Sequence, residues 1–152
     1  MATFFEIIKS EKPVEVHKKI LLNVLVSQQV IAERFAEVLK PYDLSGEQFN
    51  VLRILRGRQG CPANMCSIQE RMLARTSNTT RLVDKLLAKD LVERRVCKEN
   101  RRKMEVTITA KGLQVLEQLD PLVEAHDRSY GPQMSDIELE ELNRLLEKFR
   151  KI

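Results

Sequence analysis

Eleven basic side chains lie between Ser67 and Lys103: Arg71, Arg75, Arg81, Lys85, Lys89, Arg94, Arg95, Lys98, Arg101, Arg102 and Lys103. Five acidic ones accompany them, namely Glu70, Asp84, Asp90, Glu93 and Glu99. The segment thus has an excess of six positive charges, although the whole chain is only +4. A positive excess confined to one segment suits a polyanion. Ser77, Asn78, Thr79, Thr80 and Arg81 stand together where a polar break meets an apolar run. Short polar side chains at a helix start let backbone N–H groups approach phosphate. Asn can pair with adenine and Arg with guanine through two hydrogen bonds each. Lys85 and Arg75 are expected to add phosphate contacts. Arg101 and Arg102 occupy the polar run Lys98–Lys103, a thin tip able to enter a minor groove. These nine residues are the candidate DNA-binding set.

The elements that must position them follow from periodicity. Val14–Leu39 repeats apolar residues at helical spacing and stops at Pro41. Leu21, Leu22, Leu25, Val26 and Val30 make this helix apolar on more than one face, so a second chain is expected to cover part of it. Ser45-Gly46-Glu47-Gln48 has the capping-box form and predicts a helix through Leu55. Ser67-Ile68-Gln69-Glu70 has the same form and predicts a short helix to about Leu73–Arg75. A second helix follows from about Ser77 to Lys89, with Leu82, Val83, Leu86 and Leu87 inward and Thr79, Thr80, Arg81, Asp84 and Lys85 outward. Asp84 is placed to orient a neighbouring Arg or Lys.

The period then changes from helical to alternating. Val92, Arg94 and Val96, then Met104, Val106 and Ile108, predict two half-buried strands around the basic tip. Thr109 caps a predicted helix over 110–130, which Pro121 should kink or deprive of one bond. Ser135-Asp136-Ile137-Glu138 opens a last helix through Leu139, Leu142, Leu145, Leu146 and Phe149.

Composition excludes other classes. The chain has 152 residues, 43% hydrophobic and 32% charged, which describes a folded single domain and not a disordered one. The uncharged run Ile20–Ala32 is too short and too polar to span a bilayer. The N-terminus lacks the pattern of a secretion signal, so a cytoplasmic location without membrane contact is expected. Cys61, Cys66 and Cys97 are an odd set without zinc-ligand spacing, and no metal or cofactor is expected. Their alternative use is a redox-sensing thiol. His126 is expected at the surface or an interface, with ligand contact as the other reading. No Gly-rich phosphate loop and no Ser/His/Asp or Cys/His set is visible, so an enzyme is not expected.

The line Arg81-Leu82-Val83-Asp84-Lys85-Leu86-Leu87-Ala88-Lys89-Asp90-Leu91-Val92-Glu93-Arg94, the tip Asn100-Arg101-Arg102 and Val106-Thr107-Ile108-Thr109-Ala110-Lys111-Gly112 resemble MarR-family transcriptional regulators. Leu44-Ser45-Gly46-Glu47-Gln48-Phe49 resembles that family's second-helix start. The resemblance covers about residues 14 to 150. It implies a mainly α fold with a small β-hairpin wing: a winged helix-turn-helix lobe over 45–109, flanked by dimerisation helices over 14–40 and 110–151. It also implies a homodimer on double-stranded, pseudo-palindromic operator DNA, acting as a repressor released by a small aromatic or phenolic effector. The family's wing usually carries Asp-X-Arg; Arg102 fits that pattern and Asn100 departs from it. The rival from another class is a winged-helix protein–protein module without DNA binding.

Overall fold

The computed structural model describes residues 14–74, 78–96 and 104–151. The element order is α1 (Val16–Leu39), a 3-10 turn (Lys40–Tyr42), α2 (Gly46–Arg56), α3 (Met65–Gln69), α4 (Thr79–Leu87), β1 (Val92–Val96), β2 (Met104–Ile108), α5 (Ala110–Arg128) and α6 (Asp136–Phe149). Strands β1 and β2 pair antiparallel, from Val92 opposite Ile108 to Val96 opposite Met104. A mainly α fold with a small β-hairpin wing is therefore what the chain adopts.

Helix starts follow local chemistry. Ser45 and Ser135 close true capping boxes with Gln48 and Glu138. Thr109 accepts from the Gly112 amide and starts α5. The second expected box fails. Asn64 accepts from the Ser67 amide at 2.8 Å and starts α3 three residues early, leaving Ser67 inside the helix. An Asn that reaches the third helical amide is as good a cap as Ser, and here it comes first. Helix α3 also ends sooner than expected, giving way after Gln69 to tight turns at Arg71 and Met72. Helix α5 runs through Pro121 to Arg128.

The core fills the space between α2, α3, α4 and the base of the wing. Phe49, Val51, Leu52, Leu55, Ile68, Val83, Leu86, Leu91, Val92 and Val106 are buried there, and Leu39, Leu116 and Leu119 close it from α1 and α5. Ala63 and Val106 exchange backbone hydrogen bonds of 2.9 and 2.8 Å, which pins the loop before α3 to the middle of β2. Strand β1 is buried only at its base, at Val92, and Val96 is 50% exposed, whereas β2 is buried or half-buried throughout. Distance from the core, more than alternation, sets burial along β1. Where Gly112 lies, a Cβ would come within 2.3 Å of the Leu91 carbonyl oxygen, so only glycine lets α5 approach that closely.

Candidate nucleic-acid interface

Helix α4 begins with Asn78, whose Oδ1 accepts from the Arg81 amide at 3.1 Å. Arg81 and Lys85 are four residues apart and so share one outward face, with Asn78 leading into it. Asn78, Thr80, Arg81 and Lys85 are all exposed. Among the described residues neither Arg81 nor Lys85 is engaged in a salt bridge, so both cations are open to a ligand.

Thr79 does not join them. It is 5% exposed, and its Oγ1 is buried without a hydrogen-bond partner among the described residues. Its outward placement is therefore corrected. Positions 79, 83 and 86 form the i, i+4, i+7 stripe that α4 turns to the core, and Val83 and Leu86 occupy the other two. That spacing was present in the sequence, but a polar residue type masked it.

Asp84 lies on the exposed side of α4 and accepts from Arg94 Nη1 at 3.0 Å. The expected role for Asp84 thus has a definite partner, and the bond ties α4 to β1. Across the strands, Thr107 Oγ1 donates to Glu93 Oε1 at 2.9 Å and Arg95 pairs with the same oxygen at 3.1 Å. The base of the wing is thus cross-linked before the chain reaches the tip. Arg75, Ser77, Arg101 and Arg102, with Cys97 and Asn100, lie outside the described residues.

Two features escaped the sequence reading because they join distant segments. Arg56 on α2 and Asp120 on α5 form a two-pronged pair at 2.7 and 2.9 Å. The hydrogen bonds from Arg56 hold the Asp120 carboxyl below its ordinary range, and Asp120 raises the guanidinium in return. Nearby, a cleft of about 420 Å³ opens between α2 and α5, lined by Phe49, Arg53, Val123 and Arg128 among others. The second feature is an aromatic cluster. The His126 side chain is only 7% exposed, although the residue as a whole is half-buried. It sits between Phe35 and Tyr130, with ring centroids 5.1 and 5.0 Å away. Its Nδ1 faces Asp127 at 3.0 Å and its Nε2 faces the Tyr130 hydroxyl at 3.0 Å. This cluster locks α1 to α5.

Cys61 and Cys66 are free and exposed. Among the described residues no group of three or more His, Cys, Asp or Glu is placed to hold a metal ion. No helix among them is long and apolar enough to cross a membrane.

Known proteins place this geometry. The MarR family model matches residues 44–104. A MarR transcription factor from Planctomyces limnophilus is 29% identical, with 90% of this chain and 98% of that one covered and a TM-score of 0.70. A mutant MarR from E. coli, solved in complex with operator DNA, is 24% identical, with 90% and 99% covered and a TM-score of 0.76. Bordetella bronchiseptica BpsR, whose DNA binding is regulated by 6-hydroxynicotinic acid, is 20% identical, with 93% and 99% covered and a TM-score of 0.79. No curated protein matches the chain. The segment from Leu44 to Met104 matches the MarR family model, and the chain has the fold of MarR-family transcription regulators.

Proposed function

From the premise that this chain carries a MarR-family winged helix-turn-helix domain, we propose that it is a homodimeric, ligand-responsive repressor that reads a pseudo-palindromic operator. The observation that carries the reading is the exposed Arg81–Lys85 face at the start of a capped helix, braced to the wing by Arg94 and Asp84. A helix of this size fits the major groove of B-DNA, and its first residues reach base edges. In this reading Asn78, Thr80 and Arg81, with Ser77, meet bases and phosphates. Lys85 and Arg75 meet phosphates, and Arg101 and Arg102 enter the minor groove. Thr79 contributes through its backbone and by anchoring the helix, since its side chain points inward.

Dimerisation is supported by the apolar faces of α1 and α6. Leu21, Leu25 and Ile31 on α1, and Leu139, Leu142, Leu145 and Phe149 on α6, are exposed. Faces of that extent call for a covering partner. The division of labour is then 45–109 for reading DNA, with 14–40 and 110–151 for pairing two readers. Such a protein works in the cytoplasm. A small aromatic or phenolic effector fits the function, by analogy with the regulation of BpsR by 6-hydroxynicotinic acid.

Selection of bound sites from a random duplex library tests the reading. The expected product is a palindrome with half-sites about one helical turn apart. Arg81→Ala and Arg102→Ala should each weaken binding to it by about 1–3 kcal/mol. Unchanged affinity and salt dependence in both variants would refute the DNA assignment and favour a protein–protein module. The exposure of Cys61 and Cys66 gives a thiol-sensing version its own test: peroxide should release the wild type from DNA but spare Cys61→Ser or Cys66→Ser.

A further inference from the structure

The two ends of helix α4 are held very differently. Among the described residues, its N-terminal end carries the Asn78 side-chain cap. Its C-terminal end is fastened from two sides. Lys89 Nζ pairs with Asp43 Oδ2 at 2.8 Å and also donates to the Asp43 backbone carbonyl. Asp43 terminates the 3-10 turn that follows α1, in the left-handed region at φ 52°. From the other side, Lys111 in the first turn of α5 donates Nζ to the Lys89 carbonyl at 2.8 Å. Thr109 Oγ1 donates to the Asp90 carbonyl at 2.7 Å. A lysine ammonium at helix-terminal carbonyls also meets the negative end of the helix dipole. So the far end of α4 is gripped by the two segments that lead into the interface helices α1 and α5.

We propose that Asp43, Lys89 and Lys111 form an ionic clamp that sets the orientation of α4 relative to the pairing helices, and through it the half-site spacing the dimer accepts. This rests on the DNA-reading dimer proposed above and adds positioning residues to it. Three observations support it beyond the bonds themselves. Lys89 lines a hollow with Lys85, Asp43, Leu44 and Gln48, and its ammonium is paired there with the Asp43 carboxylate. Asp43 holds a backbone conformation unusual for a residue with a Cβ, and Lys89 bonds to both its carbonyl and its carboxylate. Gly112 lets α5 come against Leu91 just beyond the clamp, so a shift at one side is passed to the other.

The test uses the full-length chain and the palindrome selected by the wild type. Asp43→Asn and Lys89→Met should remain folded dimers, because an exposed ion pair contributes little to global stability. Each should bind the selected operator about threefold to tenfold more weakly. Their dependence on salt should match the wild type, since no phosphate contact is lost; a slope lower by about one in Lys89→Met would show a direct phosphate contact instead. Re-selection with each variant should return a broader range of half-site spacings, which simple loss of stability would not produce. Lys89→Arg keeps the charge and should restore both affinity and spacing. Wild-type affinity and spacing in Asp43→Asn and Lys89→Met would overturn the clamp alone. A wild-type chain that selects no sequence would overturn the DNA reading, and the clamp with it.

Discussion

Helices α4 and α6 begin alike and end in opposite situations. Each opens on a side-chain cap, Asn78 for one and Ser135 for the other, and each repeats Leu or Val at helical spacing. Helix α4 buries Thr79, Val83 and Leu86 in the core between α2 and the wing. Helix α6 buries none of its residues, and Leu139, Leu142, Leu145, Leu146 and Phe149 are between 37% and 46% exposed. The same amphipathic pattern thus serves two purposes. In α4 it builds a lobe that folds on itself and offers its outer face to a ligand. In α6 it makes a face that the protomer's own core does not satisfy.

Substitutions that reach one region and spare the other should separate these roles. The largest effect is expected at α6. Leu142→Glu with Leu145→Glu removes four leucine side chains from the proposed symmetric dimer, worth roughly 6 kcal/mol or more of association. Sedimentation should show a monomer, with the near-ultraviolet and helical signals of the reader lobe retained. A dimer that persists would break the comparison. Next is Leu86→Ala, a fully buried truncation, expected to lower unfolding stability by about 2–5 kcal/mol. If denaturant titration of the monomeric full-length chain shows Leu142→Ala costing as much, the two helices are not different in kind.

Gly112→Ala should cost about 1–3 kcal/mol, because the new methyl meets the Leu91 carbonyl and the Ile108 side chain, and one must move. A melting temperature equal to wild type would show that α5 is not held against the lobe there. Asn78→Ala should cost about 1 kcal/mol by leaving an α4 amide without its cap. The smallest effect concerns Arg56 and Asp120, which join the lobe to α5 while half exposed. Arg56 depresses the Asp120 carboxyl, so the pair's contribution is present at neutral pH and is lost as pH falls through the depressed value. With solvent screening it amounts to below about 1 kcal/mol. Asp120→Asn should flatten that part of the acid unfolding profile and lower stability at pH 7 by no more than that amount.

Much of this was legible beforehand, for reasons that lie in single segments. The alternation in Val92–Val96 and Met104–Ile108 announces strands because side chains alternate across a pleat. The capping boxes at Ser45 and Ser135 announce helices because the bonds they make are three residues apart. Thr79 was misplaced because a hydroxyl residue on the core stripe is rare enough to pass for a surface one. The start of α3 was misplaced because Asn64 and Ser67 are both competent caps, and only the approach of Ala63 to Val106 favours the earlier one. Arg56 with Asp120, Lys89 with Asp43 and His126 with Phe35 join segments dozens of residues apart, and no local pattern pairs them.

The sequence by itself determined the order of elements, the basic reader segment and the apolar character of α1 and α6, because each depends on residue type and short-range spacing. Tertiary structure alone decided which outward residues of α4 are engaged in salt bridges, with Asp84 turned to Arg94 while Arg81 and Lys85 are in none among the described residues. It also decided that the far end of α4 is gripped from Asp43 and Lys111. Those outcomes depend on distances between side chains brought together by burial of a shared core, and such distances are fixed only once the core has packed.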